Sequence, residues 1–456
     1  MSHHEPPRKN AKIPVPPVER WLVPVKHFLH IEATSGLVLV ACTVLALLIA
    51  NSPWSHAMEA FWHTPVSIEF GHFKIEGDLG HLVINDILMT IFFFVVGLEV
   101  KREVVAGELR DPRKALLPVF GAIGGVVTPA AIYTAMQWGQ PGQRGWAIPM
   151  ATDIAFVVGI LALFGSRVPF GLKIFLLTLA IVDDIIAVLV IAIVFTETIS
   201  WGYILAALAG FALVYLLNKI GVRSIAIYIM VGIGIWIAFH HAGIHPTIAG
   251  VLLGLMTPSR PWIGNRTFVE ILADTWDDLR GADPETEHLP VKLEQLQFIA
   301  RESHSPLHRL EMGLHPWVAY LVMPIFALAN AGVELETSSL SNSVAIAVAV
   351  ALFVGKPLGI LLFCYTAIDL RFTRLPAGVS WPVFLGGACL GGIGFTMSLF
   401  LNALSFPTDE FPELEAAGKF GTLLGSLIST ILGAILLLVF LKSKRGQSEL
   451  TNHRHN

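Results

Sequence analysis

Apolar runs of about 20 residues recur along almost the whole chain, separated by shorter polar and charged segments. A helix needs about 20 predominantly apolar residues to cross a bilayer, so the pattern predicts an all-α integral membrane protein of about twelve transmembrane helices. The eighth span is short and needs support from its neighbours. The predicted spans are 32–52, 80–100, 115–137, 146–164, 172–195, 201–218, 223–241, 245–257, 313–332, 343–368, 381–404 and 420–441.

Two segments between the spans have patterns of their own. Residues 66–75 alternate apolar and polar positions on both sides of Gly71 and His72, which is typical of a β-hairpin. An exposed hairpin edge could pair with a second copy across a two-fold axis and form a homodimer, or the hairpin could lie on its own membrane domain. The long charged segment 259–310 has a helical pattern over 289–302 and no recognisable site chemistry.

Composition supports the membrane assignment and excludes several classes of protein. The charged fraction is 14%, against about 25% in soluble proteins. A net charge of −4 argues against a nucleic-acid partner. The three cysteines lie inside apolar runs without metal-ligand spacing, so no disulfide framework or zinc site is expected. The polar, proline-rich segment 1–30 lacks the apolar core of a signal peptide and is predicted to be a disordered tail.

The distribution of Lys and Arg gives the orientation. Basic residues are retained in cytoplasmic loops, and here they fall in alternate loops and in both tails. The opposite loops hold only Lys74, Arg144 and Lys419. We therefore expect both termini to be cytoplasmic: the tail 1–30, one transmembrane domain over 31–441 that includes the cytoplasmic loop 259–310, and a C-terminal tail over 442–456.

Asp183 and Asp184 are the strongest chemical signal in the chain, because they are adjacent and lie midway along the fifth span. An ionisable residue near a helix centre costs roughly 2.5–3.5 kcal/mol on insertion scales, so each needs a functional reason. Adjacent helix positions differ by about 100° in direction, so one carboxylate can pair with a cation on another helix while the other lines a cavity. Burial and like-charge repulsion favour protonation, and carboxylate oxygens suit a hard cation. This combination predicts exchange of a cation for protons.

Lys356 and Asp153 are the other charges expected near the membrane midplane. Lys356 lies a dozen residues inside span ten, directly before Pro357, and can stay charged by pairing with an aspartate. Asp153 follows Pro149 in a short span, and span eleven has five glycines between Gly386 and Gly394. Two such breaks, in spans 4 and 11, indicate discontinuous helices in an inverted-repeat transporter. Asp153 and Lys356 could then neutralise the facing helix ends.

The histidines carry a weaker signal. His240, His241 and His245 cluster at the outer end of span seven, but no carboxylate lies near them in the sequence at metal-ligand spacing. Titration within the working pH range is a better interpretation than metal binding. Motifs of hydrolases and ATP-driven pumps are absent. The chain is therefore predicted to be a secondary transporter and not an enzyme, and no cofactor is expected.

Six sequence blocks together resemble one known family. The chain is similar, over about residues 30–440, to the NhaA family of bacterial Na⁺/H⁺ antiporters. The blocks occur in the family order and are INDILMTIFFFVVGLEVKRE (84–103), ATDIAFVVGILAL (151–163), LAIVDDI (179–185), HPWVAYLVMPIFALANAG (315–332), VGKPLGI (354–360) and GIGFTMSLF (392–400).

The resemblance implies roles for individual residues. Asp183 and Asp184 would bind the transported ion (Na⁺ or Li⁺) and protons, with Asp184 the more critical. Thr152 and Asp153 would lie where two broken helices cross, with Lys356 paired to Asp183 or balancing the crossing. Asp86 matches an acidic position on the outward path. The positions tied to pH activation are Glu99, Lys101, Arg102, Glu103, Arg309, Glu311 and His245.

The resemblance also implies a bacterial inner-membrane location, a homodimer contact through the 66–75 hairpin, electrogenic pH-activated exchange, and transport of Na⁺ and Li⁺ but not K⁺. Two departures bear on pH sensing. Met312 stands where better-known members carry a histidine, and the 259–310 loop is longer than usual. The activation pH is therefore open, whereas the exchange chemistry is not.

Three other functions compete with exchange. A sodium-coupled symporter of a small organic solute could share the broken helices, but no polar groups shaped to a solute are evident. An intramembrane aspartyl protease would place its aspartates on different helices. A structural membrane scaffold would not keep five ionisable side chains inside its spans, each of which is costly: Asp86, Asp153, Asp183, Asp184 and Lys356.

Overall fold

The computed structural model describes residues 32–70, 73–196, 199–222, 224–281, 289–334 and 341–452. The predicted tail 1–30 and the Gly71–His72 turn lie outside them. Within these ranges the chain is mostly helical, with one two-stranded antiparallel sheet. The strands are β1, Pro65–Phe70, and β2, Phe73–Asp78, paired from Pro65 with Asp78 to Phe70 with Phe73. The hairpin predicted over 66–75 is confirmed.

The helices follow the predicted apolar runs closely. Short 3₁₀ turns lie at Glu108–Arg110 and Gly165–Arg167, and a longer 3₁₀ helix spans Pro141–Met150. The others, in chain order, are α1 Glu32–Ala50, α2 Ser55–Trp62, α3 Leu79–Ala106, α4 Pro112–Met136, α5 Ile154–Leu163, α6 Phe170–Val194, α7 Trp201–Ile220, α8 Ile225–Ala242, α9 Thr247–Met256, α10 Asn265–Gly281, α11 Leu289–Glu302, α12 Pro306–Asn330, α13 Ser343–Asp369, α14 Trp381–Gly391, α15 Phe395–Ser405 and α16 Pro412–Asn452.

In the described residues, eight helices are long and apolar enough to cross a membrane. The number rises to eleven if each of three bent helix pairs forms one span, and α9 is a shorter apolar helix. The chain is therefore a multi-pass membrane protein. In the 259–310 loop, the helix predicted over 289–302 is confirmed as α11. The sequence reasoning missed α10, and the last helix continues beyond the predicted end at 441 to Asn452.

Wider π-helical turns occur inside three of the long helices, at Leu79–Leu88, Val318–Val322 and Ala351–Gly355. In the last two, a proline follows two residues after the π turn, at Pro324 and Pro357. A proline has no N–H to donate and its ring crowds the carbonyl four residues earlier, so the preceding turn widens. As a result, Lys356 directly follows a local deformation of α13.

Helices α4 and α13 approach each other at backbone distance. A Cβ added at Gly359 would lie 2.0 Å from the Gly124 carbonyl oxygen, and one at Gly124 would lie 2.2 Å from the Gly359 oxygen. Only glycine permits this contact, which is the small-residue packing common between membrane helices. Gly359 is three residues from Lys356, so this crossing holds the Lys356 turn of α13 against α4. By contrast, α7 buries only Ala207 and Val214 and presents an apolar surface suited to lipid.

Candidate functional site

Two bent helix pairs contact each other at their bends. The 3₁₀ helix Pro141–Met150 and α5 are joined by an extended segment over 151–153 and differ in direction by 46°. Helices α14 and α15 are separated by 392–394 and differ by 40°. The Asp153 N–H donates to the Ile393 carbonyl oxygen at 2.7 Å. Direct backbone bonding therefore joins the two breaks, which the sequence had placed at Pro149 and in the glycine run.

Asp153 caps both helices that begin at these breaks. Its Oδ1 accepts from the Phe156 N–H at the start of α5 (3.0 Å), and its Oδ2 accepts from the Thr396 N–H at the start of α15 (3.0 Å). The Thr396 hydroxyl also donates to Oδ2. A carboxylate at a helix N-terminus satisfies free N–H groups and complements the positive end of the helix dipole. The buried charge of Asp153 thus serves two helix starts.

Lys356 occupies the opposite electrostatic position. Its Nζ donates to the carbonyl oxygen of Met150, the last residue of the 3₁₀ helix, at 2.5 Å. It also lies 3.0 Å from Asp183 Oδ2, and both side chains are fully buried. A cation at a helix C-terminus stabilises the unpaired carbonyls there, and a buried charge needs a partner of opposite sign. Lys356 thus joins the break to the aspartate pair.

Thr152 lies between the aspartate pair and the second break. Its hydroxyl oxygen is 2.6 Å from Asp183 Oδ2 and 3.0 Å from the Gly391 carbonyl oxygen. The side chain is buried, so both contacts form in a site shielded from solvent. Together, Thr152 and Lys356 hold one oxygen of Asp183.

One oxygen of each aspartate in the pair is uncommitted. Asp183 Oδ1 and Asp184 Oδ1 are buried and have no hydrogen-bond partner among the described residues. A buried polar atom without a partner is costly and calls for an explanation. Two carboxylate oxygens from adjacent residues offer the hard donors that an alkali cation or a proton requires.

Four of the seven residues that the resemblance ties to pH activation lie together around the end of α3: Glu99, Arg102, Glu103 and Glu311. Arg102 pairs with both Glu103 (3.3 Å) and Glu311 of α12. Nearby, His315 Nε2 lies 3.8 Å from Glu99 Oε1. Arg102 therefore bridges α3 and α12, beside the Glu99–His315 contact.

Three members of the predicted pH-activation set lie apart from that bridge. Lys101 turns away and donates to the Leu255 carbonyl oxygen at 2.6 Å. Arg309 pairs with Glu302 of α11 at 3.5 Å. His245 lies elsewhere, beside Asp86, at 3.6 Å between Nε2 and Oδ1. The predicted set is thus spread over several contacts.

Asp86 lies in the π-helical start of α3, and its carboxylate faces His81, His240 and His245. All four line a cavity of about 1740 Å³. No group of three or more His, Cys, Asp or Glu side chains in the described ranges has the geometry to hold a metal ion. In the sequence, the three clustered histidines had no nearby carboxylate, yet the structure supplies one from a distant helix. His241 instead stacks on Tyr203.

Sequence reasoning missed three residues of these sites. Thr396 stands in the GIGFTMSLF block, but its contact with Asp153 joins positions 243 residues apart. His81 and His315 are single histidines near span ends, with no local motif. An α-helical projection would have placed His81 and Asp86 about 140° apart, because only the wider π turn at Leu79–Leu88 aligns positions five residues apart. It also could not have supplied His240 and His245.

Apolar helices long enough to cross a bilayer, packed around buried ionisable side chains, define a multi-pass membrane protein of the ion-transporting class. The family model for Na⁺/H⁺ antiporter 1 matches residues 26–437. The chain therefore belongs to this family, the NhaA antiporters.

Curated relatives match over nearly their full lengths. The chain is 52% identical over 439 residues to Na(+)/H(+) antiporter NhaA of Rhodopirellula baltica, covering 96% of this chain and 98% of that protein. It is 44% identical to Na(+)/H(+) antiporter NhaA of Rhizobium meliloti, with 95% and 99% covered. It is 41% identical to Na(+)/H(+) antiporter NhaA 2 of Vibrio vulnificus, with 94% and 95% covered. The sodium-coupled symporter alternative finds no support in these matches.

Proposed function

We propose that this protein is a secondary transporter that exchanges Na⁺ for protons across a membrane and binds both at Asp183 and Asp184. Family membership over nearly the whole chain supports the exchange. The observation that supports the site is the pair of buried, unpartnered oxygens, Asp183 Oδ1 and Asp184 Oδ1. They lie beside a fully buried lysine that already satisfies the second oxygen of Asp183.

The exchange follows from competition for these oxygens. A carboxylate that carries a proton cannot coordinate a cation well, and one that coordinates a cation releases its proton. From the cytoplasm, Na⁺ displaces protons from the pair; after the site turns to face the other side, protons displace Na⁺. The geometry favours Asp184 as the more critical residue, because Asp183 is engaged by Lys356 and Thr152. Li⁺ is the expected second substrate, and K⁺ is not transported.

The two breaks are proposed to be discontinuous spans 4 and 11 of a twelve-span, inverted-repeat transporter that works by alternating access. Thr152, Asp153 and Lys356 hold their crossing. Where helices end at the midplane, a small relative rotation changes which side the site faces without opening a long helix. The bonds that join Asp153 to Ile393 and to Thr396 are the contacts that such a rotation must preserve or exchange.

The exchange is proposed to be electrogenic. With two protons entering for each Na⁺ leaving, one net charge moves inward per cycle. At 100 mV this is worth about 2.3 kcal/mol, or roughly a 50-fold sodium gradient beyond what the pH gradient supplies. The pH-activating group is proposed to be Glu99, Lys101, Arg102, Glu103, Arg309, Glu311 and His245.

The distribution of Lys and Arg supports an inner-membrane orientation with both termini cytoplasmic. One transmembrane domain over 31–441 would carry the cytoplasmic loop 259–310, between the tails 1–30 and 442–456. In this orientation the β-hairpin and Asp86 face the outside. The outer edge of the hairpin is proposed to form the homodimer contact, since a two-stranded sheet leaves unpaired backbone groups on both edges.

Everted membrane vesicles test the function and its site together. Respiration acidifies the vesicle interior, and Na⁺, Li⁺ or K⁺ is then added between about pH 6.5 and about pH 8.5, where partly titrated carboxylates respond to pH. Collapse of the pH gradient by Na⁺ and Li⁺ but not K⁺ is expected for the wild type and for the exposed control Asp369→Asn. Asp184→Asn should show no collapse. Full activity in Asp184→Asn would remove that carboxylate from the site, and silence of the wild type at every pH would remove exchange.

A further inference from the structure

Three imidazoles surround the Asp86 carboxylate at distances that vary little. His81 Nδ1 lies 3.9 Å from Asp86 Oδ2, His240 Nδ1 lies 4.0 Å from the same oxygen, and His245 Nε2 lies 3.6 Å from Oδ1. These histidines come from three parts of the chain: the start of α3, the end of α8 and the junction before α9. The arrangement is therefore a product of the fold and is not a local repeat.

The four side chains form a gradient from solvent to interior. His81 is 70% exposed, His240 29%, His245 11% and Asp86 3%. Packing alone does not require one imidazole of the cluster to stay exposed to solvent. Here one group exchanges protons freely with solvent, two are progressively shielded, and the last is a buried carboxylate.

His240 is held in place by a defined set of contacts. Its ring stacks on Trp236, with ring centroids 5.6 Å apart and planes 11° apart. The Trp236 Nε1–H donates to Thr90 Oγ1 (3.0 Å), and the Thr90 hydroxyl donates to the Asp86 carbonyl oxygen (2.6 Å). The same turn of α3 that presents Asp86 thereby also positions the tryptophan against which His240 stacks.

The N–H group of the neutral His245 ring points towards Asp86. The Thr247 N–H approaches His245 Nδ1 at 3.5 Å, and the Thr247 hydroxyl lies 2.8 Å from the same nitrogen. Donation to Nδ1 places the ring proton of the neutral imidazole on Nε2, which faces Asp86 Oδ1. A nitrogen that carries a proton is a poor metal ligand, in agreement with the lack of metal-binding geometry in the described ranges.

The supply of protons from outside limits any exchanger that works at alkaline pH. At pH 8 free protons are at about 10 nM, so capture at a diffusion limit of ~10¹⁰ M⁻¹s⁻¹ delivers only about 100 protons per second to one site. Several proton-binding side chains at the mouth of a cavity raise the local supply. Imidazoles can take and release protons at either ring nitrogen and suit this purpose.

We infer that His81, His240 and His245 form a proton-collecting relay that loads Asp86 from the outer solution and so feeds the exchange. The inference rests on the proposed function and orientation. In each step a protonated imidazole gives the N–H proton that faces Asp86 to a carboxylate oxygen and is left neutral, and it then takes a new proton from water or buffer. The separations of 3.6–4.0 Å exceed a direct hydrogen bond, so a transfer needs a small side-chain movement or one intervening water.

Other ionisable groups share this cavity and belong in the same account. His63 Nδ1 pairs with Asp78 Oδ2 at 3.0 Å, just before α3, and α16 contributes Glu415 and Lys419, which pair with each other at 2.7 Å. These four groups are already paired, unlike the Asp86 cluster, whose charges meet at longer range. Six further charged residues among those described line the cavity, and none of them pairs with Asp86: Glu59, Arg144, Glu334, Asp409, Glu410 and Glu413. From α12, Asn330 contacts Asn85 and adds no charge.

The test compares two double variants that remove the same number of imidazoles. His81→Gln/His240→Gln deletes the outer relay. His56→Gln/His241→Gln deletes one exposed histidine and the neighbour of His240 that stacks on Tyr203 instead of facing Asp86. Right-side-out vesicles loaded with ²²Na⁺ report efflux while the outer pH is varied from about 6 to about 8.5 in dilute buffer, so that proton delivery limits the rate.

The relay predicts equal efflux from both variants at about pH 6 and at least a three-fold loss in the His81/His240 variant at about pH 8.5. Raising an impermeant outer buffer from about 1 to about 50 mM should restore that loss, because a diffusible base replaces the missing imidazoles. Identical pH profiles for the two variants would overturn the inference. So would a uniform loss that buffer does not rescue, because it would assign the histidines a structural role. Failure of the proposed function looks different, since wild-type efflux itself would then be absent.

Discussion

Lys356 Nζ lies 3.0 Å from Asp183 Oδ2, and neither side chain is exposed to solvent. This is a buried ion pair between α13 and α6, and the lysine also donates to the end of the 3₁₀ helix at Met150. The pair therefore connects the aspartates of the proposed ion site to the helix break beside them. Removing one partner of a buried pair leaves an uncompensated charge and typically costs 3–5 kcal/mol.

Replacing Lys356 should lower the unfolding free energy by an amount that depends on pH. Lys356→Met leaves Asp183 with only the Thr152 hydroxyl, and we expect a loss of about 3 kcal/mol in unfolding free energy at alkaline pH. The loss should shrink at acid pH, where the unpaired carboxyl takes up a proton and becomes neutral. Thermal unfolding in detergent at two pH values measures this. A loss that is the same at both would mean that Asp183 does not carry the uncompensated charge.

Asp153 offers a test of the double cap. Asp153→Asn retains a single side-chain oxygen and so caps one helix start; it should cost about 1 kcal/mol. Asp153→Ala leaves the Phe156 and Thr396 N–H groups both without a side-chain acceptor and should cost about 2–3 kcal/mol. Denaturation of the two variants beside wild type gives the ranking. Equal costs for Asn and Ala would show that only one of the two caps contributes.

The crossing of α4 and α13 predicts a steep penalty for one methyl group. Gly359→Ala places Cβ 2.0 Å from the Gly124 carbonyl oxygen, so the helices must separate. We expect at least 2 kcal/mol of destabilisation, towards the upper end of overpacking costs of roughly 1–3 kcal/mol. The matched control is Gly234→Ala on α8, where an added Cβ meets nothing within 4 Å. That control should be neutral or stabilising by up to about 1 kcal/mol.

The hairpin predicts the oligomeric state. Replacing β1 and β2 with a short polar linker removes the only sheet in the described residues, and with it the edge proposed to pair with a second copy. Chemical cross-linking in native membranes should then give a monomer band where wild type gives a dimer. An unchanged dimer would place the contact elsewhere and would favour a hairpin that lies on its own membrane domain.

Much of the fold could be predicted because a bilayer imposes strict rules on sequence. Runs of about 20 apolar residues locate helices, and midspan charges are rare enough to identify sites. Pro149 and the glycines of 386–394 identified both places where helices end near the centre. The alternation around Gly71 and His72 gave the hairpin. These signals are local, and each can be interpreted within one segment of the chain.

The parts that could not be predicted depend on contacts between distant segments. Thr396 shares the Asp153 carboxylate across 243 residues, and no property of the GIGFTMSLF block names its partner. His240 and His245 meet Asp86 only after α3, α8 and α9 pack together. The π turn before Lys356 depends on how α13 accommodates Pro357 within its surroundings. Helix α10 has a clear amphipathic pattern, but it lies in the charged 259–310 segment and outside the apolar runs that identify spans, so the search for spans passed over it.

The protonation state of Asp183 determines which hydrogen bond the Thr152 hydroxyl can donate. Its hydroxyl has one hydrogen but two acceptor neighbours, Asp183 Oδ2 and the Gly391 carbonyl oxygen. When Asp183 is ionised, the hydroxyl can donate to only one of them. When Asp183 carries a proton, it can donate to the threonine, which is then free to donate to Gly391. Uptake of one proton by Asp183 thus determines whether the Thr152 hydroxyl donates to the Gly391 carbonyl oxygen and so links the two broken helices.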